Sequence, residues 1–490
     1  MIAAGGREGK DEMTLRTGAR GGAPQSGEIA RVQRPRSYKR RVLWAGVAAL
    51  LPLVWLGTPA GADHGPHGQQ GQQGQGSDHS GATLYVATTG SSTNSDQGCK
   101  AAGYANIQTA VDAAQAGDTV HVCAGTYHEQ VTITTDGLTL TGTGTTSLIE
   151  PTSATPTLVH TADTPSSSPG MAPVIDVGPG VVGVTVRDLE VDGADWMPVL
   201  TGCGVDPVGV LFHGASGVVR TVTVSTMKLF AATADGCQAG QGIYVDETGT
   251  AASPTGTARV AIVHDTVDAF QKNGITCDDH GTSCSITQNT VTGVGPTSGA
   301  AENGIQVLAA RARIAGNTVA TVDWTGTATP KYPRATFASG ILLYGAEGEI
   351  QVQKNNLRNA QLAVAVVDSD ATVQKNTVTE TSPGMPGSVG VYAVACTRYC
   401  HTLGFSPGTI RVVIVRNSIA LGTAAGTTGI WVGDPTATKT GSVDVTAVGN
   451  TITGAPEDVV LGPTASGTVQ TSSDGADGHH SAPKGGHHGH

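Results

Sequence analysis

Seven short segments in the second half of the chain share one pattern, in which apolar β-branched residues alternate around a central amide or acid. The central residues are Asp265, Asn289, Asn317, Asn355, Asn376, Asn417 and Asn450. Their spacing varies from 21 to 41 residues while the pattern around them stays the same. Period-two alternation is typical of β-strands, and a fixed pattern at irregular spacing indicates coils of constant geometry with loops of variable length. The chain is therefore predicted to be an all-β solenoid of parallel strands.

A second repeat supports the same coil. A glycine followed by an apolar residue begins a strand ahead of most central residues, at Gly209, Gly242, Gly274, Gly304, Gly340, Gly390 and Gly429. Each coil then contains a glycine-led strand, a turn, a strand with the central Asn, and a return loop. Asn side chains bond backbone groups and tolerate left-handed dihedrals. We therefore expect the Asn residues at a bend, bonded from coil to coil in a ladder.

The two ends of the chain differ in composition from the repeats. A basic stretch, an apolar run from Val42 to Gly57 and the small residues Ala60-Gly61-Ala62 indicate a secretory signal peptide in a leader of residues 1–62. An uncleaved signal anchor is the alternative. Residues 63–82 and 471–490 are rich in Gly, Gln, Ser or His and are predicted to be disordered. The solenoid is expected over residues 83–470, in a secreted monomer with no membrane span after cleavage.

The solenoid is expected to be strongly acidic. The chain has 28 Lys+Arg and 39 Asp+Glu, of which the leader holds 10 and 4, so 18 basic and 35 acidic residues remain, a net charge of −17. Such a surface repels nucleic acids and acidic polymers at long range. We therefore expect no nucleic-acid partner, and an acidic polysaccharide would need bridging cations or a local basic patch.

All eight cysteines follow the leader, and an even number in an exported chain predicts disulfide bonds. Spacing leaves the connectivity open. Pairing sequence neighbours gives Cys99–Cys123, Cys203–Cys237, Cys277–Cys284 and Cys396–Cys400. None of the spacings fits a zinc site.

The N-terminal part of the repeat region has its own pattern. Apolar residues at helical spacing predict a short amphipathic helix over residues 106–116, which would cover the open end of the coils. The run from Tyr104 to Ile133 resembles the first segment of right-handed parallel β-helix proteins of the pectate-lyase-like superfamily. With the Asn coils, the resemblance covers roughly Leu84 to Val469 and implies one right-handed parallel β-helix of about ten or eleven coils.

The resemblance implies a range of functions. The superfamily includes lyases, glycosidases, esterases and epimerases that act on polysaccharides, and also non-catalytic surface and adhesion proteins. Because one scaffold hosts many activities, the site residues must decide between them. Gly125-Thr126-Tyr127 with Glu129 resembles pectin methylesterases, but their later Gln, Asp and Arg motifs have no match here.

A second motif resembles two other groups of the superfamily. Asp278, Asp279 and His280 are similar to the acid pair and His of polygalacturonases, but an upstream acid and a downstream basic motif are missing. The same three residues are similar to the Asp-x-His of alginate epimerases and lyases. In that comparison Lys272 and Tyr244 are the nearby Lys and Tyr.

The repeat itself predicts an acidic column. Aligning the coils on their leading glycines puts His213, Asp246 and Asp278 at one position, with Glu247 and Asp279 one residue further on. Neighbouring parallel strands lie about 4.8 Å apart, and like charges so close disfavour joint ionisation. A shared proton, a cation such as Ca²⁺, or exposure to water would relieve the repulsion.

A shared proton or a bound cation would make the column a functional site. The candidate catalytic residues are Asp246, Asp278, Asp279 and His280. The candidate ligands of Ca²⁺ are Asp246, Glu247 and Asp278. The alternative is that the acids are ordinary polar residues of a turn between Cys277 and Cys284.

Substrate contacts are expected beside the column and on one long loop. The candidate binding residues are His213, Tyr244, Lys272, Asp323, Trp324, Lys331 and Arg334, the last four in the loop between the third and fourth central residues. Long loops on a β-helix commonly wall the binding groove, and the alternative is a loop folded back on the coils. Three cations that precede central Asn residues are expected to form an outward basic stripe, namely Lys354, Lys375 and Arg416.

These observations predict an exported β-helix protein that binds or modifies extracellular polysaccharide, with a uronate-containing polymer as one candidate. If the protein is an enzyme, the pattern favours a lyase, a glycoside hydrolase or an epimerase. The alternative is a non-catalytic adhesion or structural protein of the cell surface. The missing motifs favour the alternative, and the acidic column favours the first interpretation.

Overall fold

The structure is a computed structural model in which a defined part of the chain is described. It covers residues 81–153, 155–159, 170–196, 198–229, 234, 236–247, 257–325, 337–381, 387–395, 408–433, 441–473 and 479–481. The leader, most of the linker, Lys331, Arg334 and the Cys396–Cys400 pair lie outside the described residues.

The strands stack in parallel into long sheets, and each coil contributes a strand to every face. We call the 11-stranded sheet the front face. Its strands are Val131–Ile133, Gly170–Val177, Val205–His213, Gln241–Asp246, Asn273–Asp278, Asn303–Leu308, Ser339–Tyr344, Leu362–Val367, Val389–Val394, Thr428–Val432 and Glu457–Leu461. Eleven front strands agree with the predicted number of coils.

The 24-stranded sheet consists of two such stacks, here named the second and third faces. The second face contains Thr83–Val86, Thr119–Val122, Thr139–Thr141, Val184–Arg187, Ser216–Arg220, Arg259–Val263, Ser283–Thr287, Arg311–Ala315, Glu349–Gln353, Asp370–Gln374 and Thr409–Val415. The third contains Gly125–Tyr127, Ser147–Ile149, Glu190–Asp192, Thr223–Ser225, Thr266–Asp268, Thr290–Thr292, Thr318–Val322, Asn356–Ala360, Thr377–Thr379 and Ser418–Ala420. The long strands Ser442–Thr453 and Ala465–Ser473 run through both stacks and join them.

The ends of the coil stack differ from its middle. A 3-10 helix spans Cys99–Ala101 and an α-helix spans Ile107–Ala113, close to the predicted helix, with its apolar residues buried in the core. At the other end, His479–Ser481 pairs antiparallel with Ala465–Ser473. Strands are thus also present at 471–473 and 479–481, while the disorder of the tail over 471–490 stays a prediction. The coil pattern continues there because Asn450 pairs with Thr471 in the next strand.

The core is built from the inward residues of the three faces. Most of them are Val, Ile, Leu and Ala, with a few large side chains such as Trp196, Phe212 and Phe270 fully buried. Only 4% of the chain is aromatic, which suits a narrow interior filled by branched side chains. No helix among the described residues is long and apolar enough to cross a membrane.

The central Asn residues form the ladder that the sequence predicts. They lie at the corner between the second and third faces and are at most 2% exposed. Asn317 is representative: its Oδ1 accepts bonds from the backbone N and the Nδ2 of Asn289 at 2.9 and 3.0 Å, and its Nδ2 bonds Asn355. Such bonds satisfy polar groups that water cannot reach.

The bend itself differs from the prediction in one detail. The left-handed backbone falls on the residue before each ladder residue, with φ of 61° at His264, 60° at Gln288 and 55° at Lys354. The ladder residues are absent from the positive-φ set. The Asn is needed for its hydrogen bonds, whereas its neighbour absorbs the strained angle.

The leading glycines have a packing role. A Cβ at Gly274 would lie 2.4 Å from Cγ1 of Val291, and a Cβ at Gly242 would lie 2.3 Å from Cγ1 of Val267. The front strand thus starts against the third face of its own coil, and only glycine leaves room for the branched residue there.

Three disulfide bonds join coils or close turns. They are Cys99–Cys123, Cys203–Cys237 and Cys277–Cys284, the pairs of sequence neighbours.

Candidate functional site

The acidic column lies on the front face as the alignment of glycines predicts. His213 pairs with Asp246, and the register of the next strand puts Asp246 beside Asp278. Leu308 and then Tyr344 continue the column. Because adjacent strands lie about 4.8 Å apart, the three polar residues occupy three successive steps.

Asp246 and the residue after it are deeply buried. Asp246 is 2% exposed and Glu247 is 0% exposed. Carboxylates are rarely buried to this degree without a compensating interaction. Asp246 and Glu247 therefore do not fit the alternative interpretation, in which the acids are exposed residues of a turn.

A buried acid–imidazole pair lies at one end of the column. Asp176 Oδ1 is 3.0 Å from His213 Nε2, and both side chains are about 90% buried. Asp176 comes from the strand Gly170–Val177, which is buried along its whole length. The two atoms are within ion-pair distance, but neither makes a hydrogen bond among the described residues. The sequence prediction missed Asp176, although an acid inside a run of buried apolar residues is itself a signal.

Tyr244 holds Asp278 in place. Its O–H donates to Asp278 Oδ2 at 2.6 Å, and the backbone N–H of Asp279 donates to Asp278 Oδ1 at 2.9 Å. Burial, and then the charges of Asp278 and Asp246, raise the pKa of Tyr244 well above its ordinary value. The phenol therefore stays protonated and acts as a donor, while the carboxylate is fixed in one orientation.

The other two members of the predicted motif have different surroundings. Asp279 is a turn residue with φ of 70°, inside the loop closed by Cys277–Cys284. His280 Nδ1 contacts Glu347 Oε1, and Arg311 Nε lies 3.3 Å from Glu347 Oε2. The ring of His280 thus contacts Glu347, which lies in the turn between the strands Ser339–Tyr344 and Glu349–Gln353.

Lys272 lies at the opposite end of its strand from Asp278, six residues or about 20 Å away. Its Nζ donates to the carbonyl oxygen of Ala301 at 2.6 Å. Burial lowers the pKa of the ammonium to about 8, and the charge of Glu302 offsets part of that shift. An extended strand separates its two ends, so Lys272 does not join the column.

The predicted groove loop is described only at its start. Asp323 is buried, and burial raises the pKa of its carboxyl. Trp324 packs against the core and donates from Nε1 to Gly299 O at 3.0 Å. These contacts agree with a loop start that is folded back on the coils.

A buried polar network runs along the front face at the start of its strands. Gly240 N and Gln241 Nε2 donate to the two oxygens of Asp206 at 2.7 and 3.0 Å. Asn273 Nδ2 donates to Gln241 Oε1, and Asn303 Nδ2 donates to Asn273 Oδ1, both at 3.0 Å. Burial raises the pKa of Asp206 to about 6, offset in part by these bonds. In the sequence, the network is indicated by polar residues that align directly before the leading glycines, such as Gln241, Asn273 and Asn303.

The predicted Ca²⁺ ligands stay a prediction, since the described three-ligand groups lie elsewhere. Among the described residues, two groups bring three ligand atoms within 4.8 Å of one another, and neither contains Asp246, Glu247 or Asp278. The groups are Cys99 with His121 and Cys123, and His128 with Glu150 and Asp195. The two cysteines of the first group are joined in a disulfide.

Comparison with known proteins identifies the fold. No protein family and no curated protein matches the sequence. A GH136 lacto-N-biosidase from Eubacterium ramulus is similar in structure, with 14% identity over 80% of this chain and 67% of that one and a TM-score of 0.51. The A-module of mannuronan C-5 epimerase AlgE6 from Azotobacter vinelandii has 18% identity over 76% of this chain and 94% of that one, at a TM-score of 0.43.

The catalytic domain of a GH87 α-1,3-glucanase has 10% identity over 81% of this chain and 69% of that one, at a TM-score of 0.48. At these identities, structural similarity is informative about architecture alone. The stacked parallel sheets and the similar architecture of the GH136 lacto-N-biosidase lead to one conclusion: the chain is a right-handed parallel β-helix.

Proposed function

We propose that the protein binds an extracellular polysaccharide along its front face and carries out acid–base chemistry on it. The observation that supports this most is the buried pair of Asp176 and His213, next in the column to the buried Asp246. Buried ionisable groups that interact are typical of sites tuned for proton transfer. The three disulfides support an exported protein.

In this proposal each residue has a stated role. Asp176 faces Nε2 of His213, which leaves Nδ1 as the ring nitrogen that would exchange a proton with the sugar. Asp246, one strand away, is the partner carboxyl, and Asp278 is positioned by Tyr244 to bind the sugar or complete an acid–base pair. Lyase, glycoside hydrolase and epimerase reactions all use such a pair.

A non-catalytic surface or adhesion protein is the second candidate. The pairing of His280 with Glu347 favours it, because that pairing occupies the only His of the predicted Asp-x-His motif.

The test is a panel of uronic-acid and neutral polysaccharides, with and without Ca²⁺, against the wild type and Asp278→Asn. We expect turnover in the wild type and its loss in Asp278→Asn, with an unchanged melting temperature. Asp370→Asn is the matched control, since Asp370 is an exposed acid of the second face, and it should keep full activity. Binding without turnover would favour the second candidate. If the protein neither binds nor turns over any polysaccharide of the panel, the proposal is wrong.

A further inference from the structure

Three cations occupy successive corners between the second and third faces, and we call them the corner stripe. Lys354, Lys375 and Arg416 each precede a ladder Asn, and the register of the preceding residues stacks them one coil apart. The spacing is therefore about 4.8 Å per charge along the solenoid axis. All three side chains are exposed, and none makes an ion pair with the described residues.

The backbone conformation at these corners does not require a long side chain. φ is 55° at Lys354, 55° at Lys375 and 56° at Arg416, a left-handed conformation that favours glycine. The same corner holds Gly316 one coil before the stripe and Gly449 one coil after it. Earlier coils hold Asp188, Thr221, His264 and Gln288 at this corner in the same left-handed conformation, so the angle is not specific to the stripe. Three like charges on successive coils repel one another in the isolated molecule, which points to a role in binding.

Among the described residues, no acid flanks the stripe on either face. Gln353, Gln374 and Val415 flank it on the second face. On the third face it is flanked by Asn356, Thr377 and Ser418, the residues that follow the ladder Asn. Glu349 and Asp370 lie at the far ends of their strands, about 16 Å away. In a chain with net charge −11, this band is a local basic surface of the kind an acidic polymer requires.

We propose that the corner stripe binds a polyuronate chain that runs along the solenoid axis, with one carboxylate paired to the cation of each coil. An extended chain of uronic acids presents one negative charge per sugar at a similar repeat, so the two charge arrays match in register. Amide side chains beside the stripe can bond the sugar hydroxyls. The proposal uses no residue of the front face and stands independently of the function proposed above.

The experiment measures the dissociation constant of the full chain for polygalacturonate at low salt with a chelator present, which removes bridging cations. The triple variant Lys354→Gln, Lys375→Gln, Arg416→Gln should weaken binding by about tenfold or more, since three partly exposed ion pairs are lost. The control variant Lys100→Gln, Arg259→Gln, Arg411→Gln removes three exposed cations elsewhere and should change binding by less than about threefold.

Further arms separate the causes of binding. Fully methyl-esterified polygalacturonate, which lacks the charge, should not bind. Higher salt should weaken binding. Equal loss in both triple variants, no binding by the wild type, or duplex DNA bound as tightly as polygalacturonate would each overturn the proposal. The melting temperature of both variants checks that they are folded.

Discussion

At the scale of single residues, the ladder Asn is the side chain that connects one coil to the next. Asn317 accepts two bonds from Asn289, donates to Ile286 O at 2.9 Å and donates twice to Asn355. Every oxygen and N–H involved is buried, so a group that loses its hydrogen bond cannot bond water instead. The full desolvation penalty of that group then destabilises the fold. Sequence alone predicts the residues of the ladder, because their pattern repeats. The sequence could not show that the left-handed backbone angle belongs to the residue before each ladder Asn, since Asn and the residues that precede it are both common in turns.

The first prediction concerns the loss of one ladder side chain. Asn317→Ala removes the acceptor of the Asn289 backbone N–H and one of the two acceptors of Asn289 Nδ2, which keeps Ile262 O, and it removes the side-chain donor to Ile286 O. We therefore expect a loss of about 3 kcal/mol or more in the free energy of unfolding. Thr318→Ala, on the outward side of the next residue, should cost less than about 1 kcal/mol. Urea unfolding of both variants measures the difference. Equal destabilisation would show that the ladder bonds contribute nothing specific.

The second prediction concerns the first ladder position, where an acid replaces the amide. Asp265 Oδ1 accepts from Val222 N at 2.8 Å, whereas Oδ2 is buried with no hydrogen-bond partner among the described residues. Burial raises the pKa of Asp265 to about 7 from 3.8, offset in part by the backbone N–H groups of Val222 and Val263. A protonated carboxyl resembles the amide of the other ladder residues, and an ionised one does not.

The raised pKa fixes the direction of the pH effect. The unfolded chain ionises Asp265 above about pH 4, while the folded protein keeps the proton until about pH 7, so stability falls across that window and is constant above it. Asp265→Asn should therefore stabilise the protein at pH 8 by on the order of 2–4 kcal/mol and have little effect at pH 4. Denaturation at the two pH values, with the exposed Asp112→Asn as control, measures this. A gain that is equal at both pH values would contradict it.

At the scale of the element, each front strand starts against the third face of its own coil, and glycine provides the space. Gly274→Ala would place a Cβ 2.4 Å from Val291 and 2.6 Å from the carbonyl oxygen of Gly304. We expect a loss of about 1–3 kcal/mol in stability. Position 363 is the same point of a later coil and carries Ala, so Ala363→Gly should cost only about 0.5–1 kcal/mol. Thermal unfolding of both variants tests this, and a neutral Gly274→Ala would show that the strands are less closely packed.

Part of the candidate site could be predicted from the sequence, and part of it could not. The column of His213, Asp246 and Asp278 could be predicted, because it follows from one alignment of the glycines. Asp176 could not, since its strand, Gly170–Val177, carries Val174 in place of the leading glycine at the position aligned with Gly209. The contact of His280 with Glu347 joins residues 67 apart in sequence through the turn conformation, which spacing does not determine.

At the scale of the whole molecule, the stacking of coils distributes chemistry over separate surfaces. The front face carries the buried acids and His213, and the corner stripe carries cations with no ion-pair partner among the described residues, in an otherwise acidic protein. Neither surface is continuous in sequence, and both exist because equivalent residues of successive coils lie side by side. The register of the coils is therefore the claim on which both functional proposals depend.

Engineered cysteine pairs test that register directly. Thr290 and Thr318 are aligned neighbours on the third face, so Thr290→Cys with Thr318→Cys should form a disulfide on mild oxidation, detected by mass mapping of non-reduced peptides. Thr290→Cys with Asn356→Cys spans two coils, about 9.6 Å, beyond the reach of a disulfide, and should stay reduced. Crosslinking of the second pair in place of the first would contradict the stacked coils and everything built on them.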